Sequence, residues 1–89
     1  MDVQRFRRHD RPHKYVAFQL GGPFDSLPHW FEELVSKGKA QYTETGIKVL
    51  TITGQWRMPF QGGWVVVQDN WDVYEMNDED FRRNFYEHV

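Results

Sequence analysis

The chain has 89 residues, no cysteine and a formal net charge of −2, and Trp, Tyr and Phe make up 17% of it. That length holds one domain and leaves no room for two. The missing thiols exclude a disulfide framework and a thiolate metal site. The longest apolar run, Trp64 to Val67, is far short of a membrane span, and no signal-peptide pattern opens the sequence, so a soluble, intracellular protein is expected. So short a chain needs a dense core, and its aromatic side chains, each burying roughly 150–250 Å², are the material for one.

Residues 1–12 are polar and basic, with Phe6 the only apolar side chain of weight, and read as a basic N-terminal arm. From His13 the pattern alternates: Lys14, Val16, Phe18 and Leu20 point one way, Tyr15, Ala17 and Gln19 the other. This predicts a strand with one apolar face, ended by Gly21-Gly22-Pro23. A helix is predicted over 27–37. Asp25 or Ser26 is placed to cap it, Pro28 suits its first turn, and Leu27, Trp30, Phe31, Leu34 and Val35 form its apolar stripe. Glu33 and Lys37 stand at the favourable i,i+4 spacing, and Gly38 is a C-terminal stop.

Further on, Ala40–Glu44 is a short strand, Thr45-Gly46 a turn and Ile47–Thr53 a β-branched strand. Gly54-Gln55 reads as a two-residue hairpin turn into Trp56–Met58, which Pro59 ends. After the Gln61-Gly62-Gly63 loop, Trp64–Gln68 is apolar on both faces and is expected to be the most buried strand. Asp69-Asn70 is a second tight turn and Trp71–Met76 pairs back. Asn77 caps a short helical turn that opens on Asp78-Glu79-Asp80 and carries Phe81 and Phe85 one turn apart onto the sheet. The fold expected is α+β: a twisted antiparallel sheet with one main helix packed on it and a short C-terminal helical turn. Trp30, Phe31, Leu34, Val66, Val73 and one of Val16 or Phe18 are its expected core.

The two ends carry opposite charge. Residues 1–14 hold Arg5, Arg7, Arg8, Arg11 and Lys14 against two acids, a net +3, and residues 69–89 hold seven acids against Arg82 and Arg83, a net −5. Such ends neutralise each other if they are neighbours in the fold; otherwise one is a basic arm for phosphate or an acidic face for a basic partner.

The order of segments resembles a family of small phage and prophage proteins. The resemblance runs through Arg5-Phe6-Arg7-Arg8 and Tyr15–Leu20, the helix at Leu27-Pro28-His29-Trp30-Phe31, the strand Val49–Thr53 with Gly54, and Phe81-Arg82-Arg83-Asn84-Phe85-Tyr86-Glu87. The family's hallmark is a Pro-Gly-Asp-Tyr/Trp turn opening an apolar strand. Here Gly62-Gly63 replaces that turn ahead of Trp64-Val65-Val66-Val67, so the Pro and Asp are missing and any role of that Asp does not carry over. The resemblance implies a phage accessory protein acting in the cytoplasm of a bacterial host.

No catalytic constellation is visible. Ser26 and Ser36 belong to the helix cap and polar face, the Asp78–Asp80 run is explained by capping, and Pro12 between His9 and His13 prevents a helical His pair. No enzyme activity, metal or other cofactor is therefore expected. Binding remains, and the reading favoured is attachment to a host protein, such as a component of host defence including CRISPR systems. The means would be Trp56 and Trp71, the acidic residues Asp72, Asp78 and Asp80, and an exposed sheet edge. The alternatives are nucleic acid bound by Arg5, Arg7, Arg8 and Arg11, and a nucleotide signal sequestered by Trp and Arg side chains, in a homodimer.

Overall fold

Five consecutive buried residues in β6 (Trp64–Gln68) set the architecture, because a strand buried on both faces needs a layer on each side. The structure, a computed structural model, describes residues 5–8, 13–21 and 27–87. In it β6 pairs antiparallel with β2 (Lys14–Gln19) and with β7 (Val73–Met76). Beyond β2 come β1 (Arg5–Arg8) and then β8 (Phe85–Glu87), giving a five-stranded antiparallel sheet in the order β7-β6-β2-β1-β8. Arg5–Arg8, part of the arm read from the sequence, thus run as an inner strand, with Arg7 opposite both Lys14 and Tyr86. The two ends of the chain are neighbours in the sheet.

Side-chain alternation divides the core. Phe18, Val65, Val67 and Val73 project to one face, where Trp30, Phe31, Leu34, Ala40, Ile47 and Val49 complete a cluster. Tyr15, Ala17, Trp64 and Val66 project to the other and meet Phe81 and Phe85. The expectation of one apolar face on β2 is corrected accordingly: Tyr15 and Ala17 are as deeply buried as Phe18, because a second helix covers their side. Trp30, Phe31, Leu34, Val66, Val73 and Phe18 are all core, as expected.

The first face is covered by α1 (Phe31–Ser36) and a separate three-stranded antiparallel sheet of β3 (Ala40–Tyr42), β4 (Ile47–Leu50) and β5 (Trp56–Arg57), in that order. The fold is α+β as predicted, but with two sheets in place of one. Strand β4 stops at Leu50, three residues early, and its hairpin tip turns to meet the edge of β7 through a hydrogen bond from Ile52 N–H to Val73 O at 3.2 Å. Helix α1 is shorter than 27–37. Its entry is tightened by i→i+3 bonds from Phe31, Glu32 and Glu33 to Pro28, His29 and Trp30, and Asp25 and Ser26 lie outside the described residues. Its end matches the expectation. Gly38 has φ +76°, with Gly38 N–H bonded to Val35 O and Lys39 N–H to Leu34 O, the paired bonds of a Schellman stop.

The second face is covered by α2 (Asp78–Asn84), capped as predicted by Asn77 Oδ1 accepting from Asp80 N–H at 2.7 Å. Phe81 stacks on Trp64 with ring centroids 3.7 Å apart and on Phe85 at 5.0 Å, and Phe85 meets Tyr15 edge-on at 4.9 Å. Phe85 docks on the sheet as expected, but as the first residue of β8, since α2 ends at Asn84. No described helix is long and apolar enough to cross a membrane.

The loops of the β4–β5 and β6–β7 hairpins are built alike. Thr51 N–H bonds Gln55 O and Gly54 N–H bonds Thr51 O; likewise Gln68 N–H bonds Asp72 O and Trp71 N–H bonds Gln68 O. Each is a three-residue loop whose last residue is left-handed, replacing the two-residue turns expected at Gly54-Gln55 and Asp69-Asn70. That residue is Gly54 (φ +83°) in one loop and Trp71 (φ +72°) in the other.

Candidate interaction surface

Among the described residues, the exposed large hydrophobic side chains are Tyr42, Ile52, Trp56, Met58 and Phe60, and all lie on the small sheet or the chain leaving it. Local sequence explains why. Strand β5 is only two residues long, and Pro59 cannot extend it, so among the described residues nothing pairs with its outer edge and Met58 and Phe60 follow in open loop. Phe60 is 79% exposed, an unusual state for a side chain of that size.

The hairpin itself carries only positive charge. Residues 45–68 contain Lys48 and Arg57 and no acid. Lys48 Nζ stands 5.1 Å from the centroid of the Trp56 ring, and Arg57 Nε lies 3.6 Å from Glu75 Oε1 on β7. Between the hairpin and β7 runs an open groove of about 360 Å³, walled by Thr51, Ile52 and Arg57 on one side and Val73, Glu75 and Met76 on the other. Tyr42 donates its hydroxyl to Glu32 on α1, which raises its pKa above the ordinary tyrosine value and ties the rim of the sheet to the helix.

The other residues singled out from the sequence are arranged differently. The carboxylate of Asp78 accepts from Trp64 Nε1 at 2.8 Å, Gln19 Nε2 at 3.2 Å and Arg82 Nε at 2.8 Å. The Trp64 bond first, and the Arg82 bond after it, hold its pKa below the ordinary aspartate value. Asp80 and Glu79 both face Arg83, at 3.6 and 3.0 Å, and Asp72 closes on Asn70. The acidic segment is therefore knitted to its own chain. Trp71 is half-buried on the α1 side of the core, with Lys37 Nζ 4.8 Å from its ring centroid and Lys39 Nζ donating to its carbonyl at 2.8 Å. Lys37 thus turns to Trp71, and no ion pair with Glu33 forms. Arg5, Arg7 and Arg8 belong to β1, and Arg11 lies outside the described residues.

The structure leaves Trp56, from the sequence-predicted set, exposed in one segment with Ile52, Arg57, Met58 and Phe60, which sequence reasoning missed. Ile52 was hidden inside the predicted strand Ile47–Thr53. The available signal was Pro59, which leaves too little strand after Trp56 for its neighbours to be covered. His13 stands 3.6 Å from Asp69, and among the described residues no group of three or more His, Cys, Asp or Glu side chains is placed to hold a metal ion.

No protein-family model, curated protein or solved structure matches this chain.

Proposed function

We propose that this chain is a phage-encoded accessory protein that works by binding, and that it occupies and blocks a host protein, a defence component in particular, through the β4–β5 hairpin and the loop after it. The observation that carries the reading is the gathering of Ile52, Trp56, Met58 and Phe60, all solvent-exposed, within nine residues. Exposed large apolar side chains are a common means of protein recognition, and Trp is among the residue types that dominate binding energy. The engagement of Asp72, Asp78 and Asp80 within the chain makes the acidic segment the weaker candidate. The phage origin rests on the sequence motifs.

The test is affinity capture from bacterial lysate with the intact chain and with Trp56→Ala and Phe60→Ala, each with and without nuclease. A partner protein that survives nuclease and is lost with either substitution supports the reading. Capture indifferent to both substitutions, or a purified protein that turns over a substrate, refutes it.

A further inference from the structure

We propose that the groove along β7 is a strand-addition site, and that its occupant is an extended partner segment of alternating apolar and acidic side chains. This rests on the hairpin reading above and states how that surface grips its partner.

The argument begins with backbone direction. Strand β7 is an edge of the five-stranded sheet. Asp72 O accepts from Gln68 N–H, so residues 72, 74 and 76 turn their backbone groups toward β6, while the alternate residues Val73 and Glu75 turn theirs away. Val73 O is met by Ile52 N–H, so the hairpin tip already acts as the first rung of a further strand. The outward N–H and C=O of Glu75 are met by no backbone group among the described residues. They open into the groove, where Ile52, Val73 and Met76 supply apolar wall. An unpaired edge of this kind is a template for an incoming strand, whose backbone brings one donor and one acceptor at every second residue.

Charge selects the occupant. The lining of the groove carries one cation, Arg57, and one anion, Glu75, and the cation is much the more exposed, 53% against 15%. Arg57 is about half exposed with Nε 3.6 Å from Glu75 Oε1, and its guanidinium carries further N–H donors for a carboxylate. A chain alternating apolar and acidic residues places one set against Ile52, Val73 and Met76 and presents the other to Arg57. Nucleic acid brings negative charge but no strand backbone to satisfy Glu75.

The experiment is selection of displayed short random peptides on the purified protein, followed by binding and amide hydrogen exchange with an enriched peptide. Three results are expected: enrichment of alternating apolar and acidic sequences, exchange at the Glu75 amide slowed about tenfold or more, and affinity reduced about tenfold or more by Arg57→Glu. Glu75→Pro, tolerable on an outward edge position, abolishes binding. Because exchange is read on the unaltered chain, the outcome does not depend on that variant folding. Failure to enrich peptides, enrichment of basic ones, an unchanged Glu75 amide, or salt-sensitive binding of oligothymidylate in their place overturns strand addition. Binding that is lost with Trp56→Ala but leaves the Glu75 amide unprotected overturns it while the hairpin reading stands.

Discussion

Trp71 occupies a backbone conformation that its twin loop assigns to glycine, and this allows a test in which packing cancels. Replacing Trp71 by Ala or by Gly removes the same indole from the same half-buried site, with the same loss of contact to Lys37 and the core. The two variants then differ in backbone alone. A left-handed residue with a Cβ costs roughly 1–2 kcal/mol, which Ala retains and Gly escapes. Gly gives back about 0.4–1 kcal/mol through the greater freedom of its unfolded chain. The balance makes Trp71→Gly the more stable of the pair by about 1 kcal/mol, the reverse of the usual order. For a domain of this size that separates the two melting temperatures by about 4–8 °C. Urea unfolding monitored by circular dichroism gives both midpoints and slopes, and equal slopes license the comparison. Thr53, in the other loop and without positive φ, supplies the control: there Ala equals or exceeds Gly. If Trp71→Ala proves as stable as Trp71→Gly, the strain assigned to this loop is not there.

Leu34→Ala, at a fully buried site between α1 and both sheets, is expected to lose about 2–5 kcal/mol in the same assay; a loss under 1 kcal/mol contradicts the placement of α1. Asn77→Ala removes the acceptor for Asp80 N–H and is expected to lose about 1 kcal/mol, with Asn77→Ser restoring most of it. Asp78 has its folded-state pKa depressed below the ordinary 3.8, so its contribution is complete above that value and is lost as pH falls through the depressed one. A plot of unfolding midpoint against pH is therefore expected to drop on the acid side for the natural chain and to flatten there for Asp78→Asn. Identical acid limbs refute the assignment.

Most of the strands were legible because their signals are local. Trp64–Gln68 is apolar on both faces, Asn77 precedes an acidic turn, and Gly38 follows an apolar stripe at helical spacing. What the sequence concealed depends on long-range partners. Tyr15 and Ala17 looked solvent-facing because α2, which buries them, lies some sixty residues further along the chain. The division into two sheets was hidden because Ile52 and Thr53 have strand propensity, yet they form the loop of the β4–β5 hairpin, whose tip bonds Val73. The candidate surface was half visible. Trp56 drew attention as a Trp, but the exposure of Met58 and Phe60 follows from the lack, among the described residues, of a strand beyond β5, for which Pro59 was the one local clue.

The pairing of β1 with β8 carries a kinetic consequence. Its rungs, such as Phe6 with Glu87, join residues from opposite ends of the chain, whereas β3-β4-β5 and β6-β7 are sequential hairpins. Contacts of such sequence separation form slowly, because the loop they close is nearly the whole polypeptide. The hairpins are therefore expected to assemble first and β8 to dock last, onto a sheet already joined through β2 and β6. In reverse, Phe85, the residue of β8 whose burial is described, packs on the second face and not in the core of the first. Native-state hydrogen exchange should find the amides of β8 opening at lower free energy than those of β6, by a local detachment that leaves the rest of the molecule folded.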